Sequence, residues 1–380
     1  MLNLLFGREE PSPKRIYFWN LVCSFLYSVQ SAILLLVVTR AGGVVAAGIF
    51  SITYTVPQML TPIASFSMRN FQVSDTRNDY SFSTYYSSRV LTCVLMFLSV
   101  AVYALFEGMR GETYIGALIF ALYRVLESME DVFCGAVEKQ RRLDVAAMAQ
   151  SVRIFAATAL FCAVYLLTGN LLLAEAALLA VSLFLTAWMG SGILTRFPGI
   201  HGHLTRHRVF SLLKAVFPVF LGGILYNYLV SAPKLSIFRV LNEESQTLFN
   251  ILFTPIFVIN ILSQFVFRPM VAQMGVWWNR GERAAFRASV RRQVLFISVL
   301  TLAVVLVGYW VGCPVLGLVY GVSLQGYETL FALLLCFGGV AALSTFFSVV
   351  LTIMRRQVFI SAGYGVAMVC CLLLIDRLVG

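Results

Sequence analysis

The tract YRVLESMEDVFCGAVEK, residues 123–139, plants Arg124, Glu127, Asp131 and Glu138 in an otherwise apolar run. At about 100° per residue the four fall within about 60° of one another on a helix. An ionic stripe on an apolar helix has a short list of uses. Arg124 can hold an anion, and Glu127 or Asp131 can take up a proton or a sodium ion. The same residues can also close an internal ion pair at i, i+3 that fixes the helix against Arg153 of the next one. The residue types leave these uses open.

Other groups suit polar cargo. Arg40 and Arg239, with Lys234 a turn or so before the latter, close two apolar runs. An arginine fork grips phosphate in two places and a lysine serves as a point charge, although both also snorkel at membrane interfaces. Asn20, Ser24, Tyr27 and Ser31 line one helix face at i, i+4, i+7 and i+11, and Tyr226, Asn227 and Ser231, then Asn250, Thr254, Asn260 and Gln264, give further stripes. Such groups bind sugar hydroxyls or bond helix to helix. The island RNFQVSDTRNDYSFSTYYSSR, with Arg69, Arg77, Tyr80, Tyr85 and Tyr86, reads as an amphipathic segment at headgroup level. His201, His203 and His207 read as a solvated linker and not as a metal site. The eight cysteines form no CxxC pair and read as small buried hydrophobes.

The elements that position these groups must lie in a membrane. The chain is 60% apolar and 12% charged, with a mean hydropathy of +0.86, where a soluble domain carries about 25% charged residues. Residues 16–39 and 41–68 contain no Asp, Glu, Lys or Arg, and a bilayer core needs only about 20 apolar residues in a helix. Eleven helices are expected, at 16–39, 43–68, 88–106, 113–137, 145–168, 171–195, 209–233, 246–272, 292–312, 326–353 and 357–376. With the N-terminus inside, most of the 28 basic residues fall in inner loops, as membrane topology requires. The net charge of +11 is then a record of topology and not a nucleic-acid surface. The first apolar run is too long for a secretory leader and is expected to remain as a span.

Sliding the chain along itself by 199 residues pairs Leu26 and Tyr27 with Leu225 and Tyr226, Arg40 with Arg239, Phe66 with Phe265 and Arg69 with Arg268. Two arginine matches carry weight in a chain so poor in charge. The shift maps helix one onto helix seven, so six helices form one repeat and both halves face the same way. The expected organisation is an N-terminal bundle at 1–195, a cytoplasmic linker at 196–208 and a C-terminal bundle at 209–380. Pro57, Pro62, Pro255 and Pro269 fall in or near the equivalent second and eighth helices, where they can bend them.

Three stretches, MRNFQVSD, APKLSIFRVLNEESQTLFNILFTPIFVINILSQFVFRPM and PVLGLVYGVSLQGY, taken in order, resemble the polysaccharide-flippase branch of the multidrug/oligosaccharidyl-lipid/polysaccharide exporter superfamily. The resemblance implies an all-α polytopic protein of the bacterial cytoplasmic membrane, with two pseudo-symmetric six-helix bundles around a central cavity. It also implies alternating access, with undecaprenyl-pyrophosphate-linked oligosaccharide as cargo, membrane lipid as surroundings, no cofactor, and a monomer. Eleven spans leave the second bundle one helix short of the family pattern. On this reading Arg40, Lys234, Arg239, Arg124 and Arg153 are candidates for the pyrophosphate. Arg69 and Arg268 would rim the inner entrance, and Glu127 and Asp131 would couple transport to a proton or sodium ion. Asn20, Ser24, Tyr27, Tyr226, Asn227 and Asn250 would touch sugar. A cation-coupled multidrug antiporter of the same superfamily is the alternative. An enzyme is disfavoured, because the outer loops are short and no histidine lies in a span.

Overall fold

Ser12 opens the first helix: its side chain accepts from the Arg15 amide at 3.4 Å, and Pro13 supplies a preset φ at the first helical position. The computed structural model describes residues 12–75, 79–140, 142–196, 206–354, 356 and 358–379, apart from some side chains within the helices. Helix α1, Pro13–Ser65, has 53 residues, about 80 Å if straight and far more than a bilayer core. It is not straight. Gly43, at φ 78° and ψ −178°, breaks it, and Tyr27 and Tyr54 line the same cavity although a straight helix would hold them about 40 Å apart. The first two expected helices are thus one hairpin hinged on a backbone conformation that only glycine adopts readily.

Phe66 and Ser67, both at positive φ, turn the chain into α2, Met68–Ser74. Helix α3, Phe82–Phe106, starts six residues earlier than expected because Ser81 caps it. Then follow α4, Gly111–Lys139, α5, Leu143–Thr168, and α6, Leu171–Arg196. The second half opens with α7, Arg206–Val240, bent by 56° between Phe217 and Val219 around Pro218. Asn242 caps α8, Glu243–Phe253. Pro255 separates α8 from α9, Ile256–Asn279, so the expected eighth helix is two pieces. Helix α10, Arg283–Val307, continues through a π-helical turn at Gly308–Gly312 into α11, Cys313–Tyr320. Helices α12, Glu328–Ile353, and α13, Val358–Val379, complete the described chain, which is all-α.

By length and composition, six helices among the described residues can cross a membrane, or seven if the bent α7 counts as one span. The surface agrees with lipid as solvent: Leu167, Phe106, Leu318 and Trp310 are between 76% and 85% exposed, a cost in water and none in a bilayer. Both limbs of α1 pack on α4 and α5 within the first half, and α1 also meets α7 and α8 of the second. Cys93, Cys134 and Cys313 are buried as expected, whereas Cys336 and Cys370 are exposed on the outward faces of α12 and α13.

Candidate functional site

Where the halves meet, a cavity of about 290 Å³ is lined by both limbs of α1 and by α7, α8 and α9. Its lining follows the 199-residue shift. Tyr27 faces it with Tyr226, Ser28 with Asn227, Ser51 with Asn250, Tyr54 with Phe253, and Thr55 with Thr254. The helix breaks obey the same shift, since Gly43 divides the limbs of α1 and Asn242 divides α7 from α8. Helical spacing explains the stripes: i, i+3, i+4 and i+7 positions share a face, so a polar stripe on each of four limbs meets in one place.

One position breaks the symmetry with a charge. Leu35 of the first half corresponds to Lys234 of the second, and Lys234 is the charged residue among those lining the cavity. Its ammonium lies 4.7 Å from the centre of the Phe253 ring, a cation–π contact. It forms no ion pair among the described residues. The remaining polar lining is hydroxyl and amide, from Gln30, Ser31, Gln58, Ser231 and Asn260 besides the pairs above, with no carboxylate.

A second cleft, of about 860 Å³, opens within the first half. Asn20, Ser24, Arg69, Glu127, Asp131, Glu138 and Arg153 line it, and Tyr27 and Ser28 stand between it and the central cavity. Its charges are paired. Arg153 reaches Glu127 at 3.2 Å and Glu130 at 2.6 Å, and donates to the Tyr123 hydroxyl at 3.0 Å. Arg124 closes the i, i+3 pair with Glu127 and stacks over Tyr54 at 4.8 Å, so Tyr54 separates it from the central cavity. Tyr123 is bonded in turn to Gln30 at 3.0 Å. Arg69 bridges Asp131 at 2.9 Å and Glu138 at 3.0 Å. Arg89, at the start of the expected third helix, is fully buried on α3, where it holds Asp131 at 3.0 Å and the carbonyls of Ala64 and Ser65.

The two terminal arginines lie outside both cavities. Arg40 donates to the carbonyls of Val319, at 2.7 Å, and Leu318, which close α11. Arg239 forks onto Glu107, which caps α3, and reaches the Tyr103 hydroxyl at 3.4 Å. Each arginine crosses to the other half and grips the end of that half's third helical rod, so the pair is used reciprocally. The amphipathic tract is likewise only partly superficial. Tyr86 is exposed, but Tyr85 is buried and donates to Asp75 at 3.2 Å, and Tyr80 bonds Ser211 at 3.2 Å. Arg77, His201, His203 and the side chains of Gln264, Arg268 and Pro269 lie outside the described residues.

Sequence reasoning missed Glu107, Glu130 and Glu175. Glu130 lies three residues from Glu127, a spacing that could have found it. Glu175 stands alone in LLLAEAALLA and is fully buried on α6; among the described residues Thr53, at 3.5 Å, is its one hydrogen-bonding partner and no cation pairs with it.

Fold and cavities together define a polytopic helical membrane protein with a polar cavity between two related halves. No family model matches the sequence, and no curated protein does. Solved structures are similar in fold. One, the inward-facing conformation of a multidrug resistance MATE family transporter of the MOP superfamily, is 12% identical over 92% of this chain and 87% of that one, with a TM-score of 0.59. An outward-facing conformation of such a transporter is 14% identical over 97% and 86%, at 0.53. A MATE structure in a straight conformation is 13% identical over the same shares, at 0.53. At these identities the likeness is one of fold: the chain has the MATE-type transporter fold.

Proposed function

We propose that this protein is a flippase that moves a lipid-linked oligosaccharide, of the undecaprenyl-pyrophosphate type, across the bacterial cytoplasmic membrane by alternating access. The observation that carries the reading is the chemistry of the central cavity, where hydroxyls and amides surround one cation and no carboxylate. Sugar hydroxyls find partners there and a pyrophosphate finds Lys234. An organic cation finds no counter-charge. The cargo's polyprenyl tail stays in lipid while its polar head crosses between the halves, and the reciprocal arginine grips close the end that the charge pattern places outside.

Multidrug antiport is the second reading, because the similar structures carry that description and because Glu127, Asp131 and Glu138 line the adjoining cleft. Each of these carboxylates already holds an arginine, which leaves little charge for a cationic drug.

The test uses sealed proteoliposomes holding a fluorescent undecaprenyl-pyrophosphoryl oligosaccharide, with leaflet exposure read by a membrane-impermeant quencher. Transfer above empty vesicles that falls about tenfold or more in Lys234→Ala, and is partly restored in Lys234→Arg, supports the reading; a lost charge-assisted contact of 1.5–3 kcal/mol has roughly that size. No transfer by folded protein, together with dye efflux against a proton or sodium gradient, would move the assignment to antiport.

A further inference from the structure

A third cleft, of about 640 Å³, lies far from the cavities above, between the end of α9, the start of α10 and the end of α12. Arg283, Arg287 and Arg291 line it at i, i+4 and i+8, one stripe of α10. Like charges at this spacing repel, and none of the three pairs with a carboxylate among the described residues, although Glu282 precedes them. Arg283 lies over Trp278, its guanidinium carbon 3.4 Å from the ring centre, and donates to the Trp278 carbonyl at 3.3 Å. That contact orients one guanidinium without neutralising it. The floor is apolar, with Val294 of α10 and Val350 and Met354 of α12.

We propose that this cleft binds an anionic phospholipid of the surrounding membrane, its phosphate on the three arginines and an acyl chain along α10. Charge complementarity calls for an anion, and the continuation of the same helix calls for a lipid. Beyond Arg291 the outward face of α10 is Leu295, Val299, Leu302 and Leu306, each between 56% and 63% exposed. A molecule seated here therefore meets cations at one end and bare hydrocarbon at the other, the arrangement of a phospholipid at the headgroup boundary. Trp278 lies 18 residues along α9 from Asn260 of the central cavity, about 27 Å away. The lipid site is thus separate from the central cavity, and it stands whatever the cargo proves to be.

Native mass spectrometry of the delipidated protein, with phosphatidylglycerol and phosphatidylcholine offered together, tests the proposal. Wild-type protein is expected to retain phosphatidylglycerol preferentially, and Arg287→Gln/Arg291→Gln to lower that retention by roughly ten- to thirtyfold, since each basic residue near an anionic headgroup contributes about fivefold. Thermal unfolding adds a second readout: phosphatidylglycerol should raise the melting temperature of the wild type, and inorganic phosphate should not. Equal retention by the variant, equal retention of phosphatidylcholine, or a matching shift with inorganic phosphate would each overturn the assignment. If the double variant does not fold, the wild-type lipid competition and the phosphate control decide the question alone.

Discussion

Arg239 and Glu107 form an ion pair that joins the two halves of the protein, from the last turn of α7 to the cap of α3. The Glu107 side chain is fully buried and Arg239 is one-third exposed. Arg40 answers from the first half by holding the carbonyl ends of α11. Any motion that parts the halves at this end must break both grips.

Breaking the Arg239 grip is therefore expected to shift the conformational balance. Glu107→Gln and Arg239→Ala should each favour states open at this end, and the charge-swapped Glu107→Arg/Arg239→Glu protein should recover part of the closed population. Spin-label distances across the α3 and α7 ends check this. A double-mutant cycle on thermal unfolding should return a coupling of about 1–3 kcal/mol, below the value for a fully buried pair because one partner meets solvent. Zero coupling would make the contact incidental.

The network beneath the first half behaves differently because it is closed. Arg153 is 2% exposed and serves Glu127, Glu130 and Tyr123 together. Arg153→Ala strands the buried Glu130 carboxyl without a counter-charge and should cost about 3–5 kcal/mol, read as a fall in melting temperature of the purified protein. Glu175→Gln, by contrast, removes no ion pair and should change that temperature little.

The loop after α2 offers a pH signature. Burial opposes the charge on Asp75, but the amides of Asp79 and Tyr80, the Lys139 ammonium at 3.7 Å and the Tyr85 hydroxyl outweigh it and hold the carboxyl below its usual range. A lowered carboxylate stabilises the fold above its unfolded value, near 3.9, and that contribution fades as pH falls through the lowered one. Asp75→Asn should thus unfold earlier at pH 7, by about 1–2 kcal/mol, and the gap to wild type should close in acid below about pH 4. A gap that did not depend on pH would assign the loss to packing.

Gly43 tests the hinge of the α1 hairpin. A Cβ added there meets nothing within 4 Å, so any penalty is backbone strain and not a clash. Gly43→Ala should cost about 1–3 kcal/mol, because its φ and ψ lie in a region that side chains avoid. Gly169→Ala also meets open space, but at φ 66° and ψ 2° it needs only the left-handed region, at about 1 kcal/mol. Melting temperatures of the two variants should rank in that order.

What the sequence alone determined is whatever accumulates along the chain. Hydropathy placed a helix in each expected stretch, and the 199-residue shift, read from the sequence as a repeat, also relates residues that line one cavity: Tyr27 with Tyr226, Ser51 with Asn250. Both signals are local or periodic, because a helix in lipid must satisfy its own backbone and turns its polar stripe inward. Partnership was legible only within a helix turn, where the i, i+3 spacing offered the pair that Arg124 and Glu127 form and its contact with Arg153. Arg40 and Arg239 read as cargo cations and became grips between halves, while Lys234 alone kept a place in the cavity. Arg89 falls at the start of an expected helix, but its burial on Asp131 is not written in the spacing. The first two helices read as separate, but one glycine folds them as a hairpin. Arg239 lies 132 residues from Glu107, and Arg153 lies 23 from Glu130. A buried charge is stabilised by the group that packing brings within about 3 Å, and beyond one helix turn no spacing along the chain states which group that is. The tertiary structure decided it.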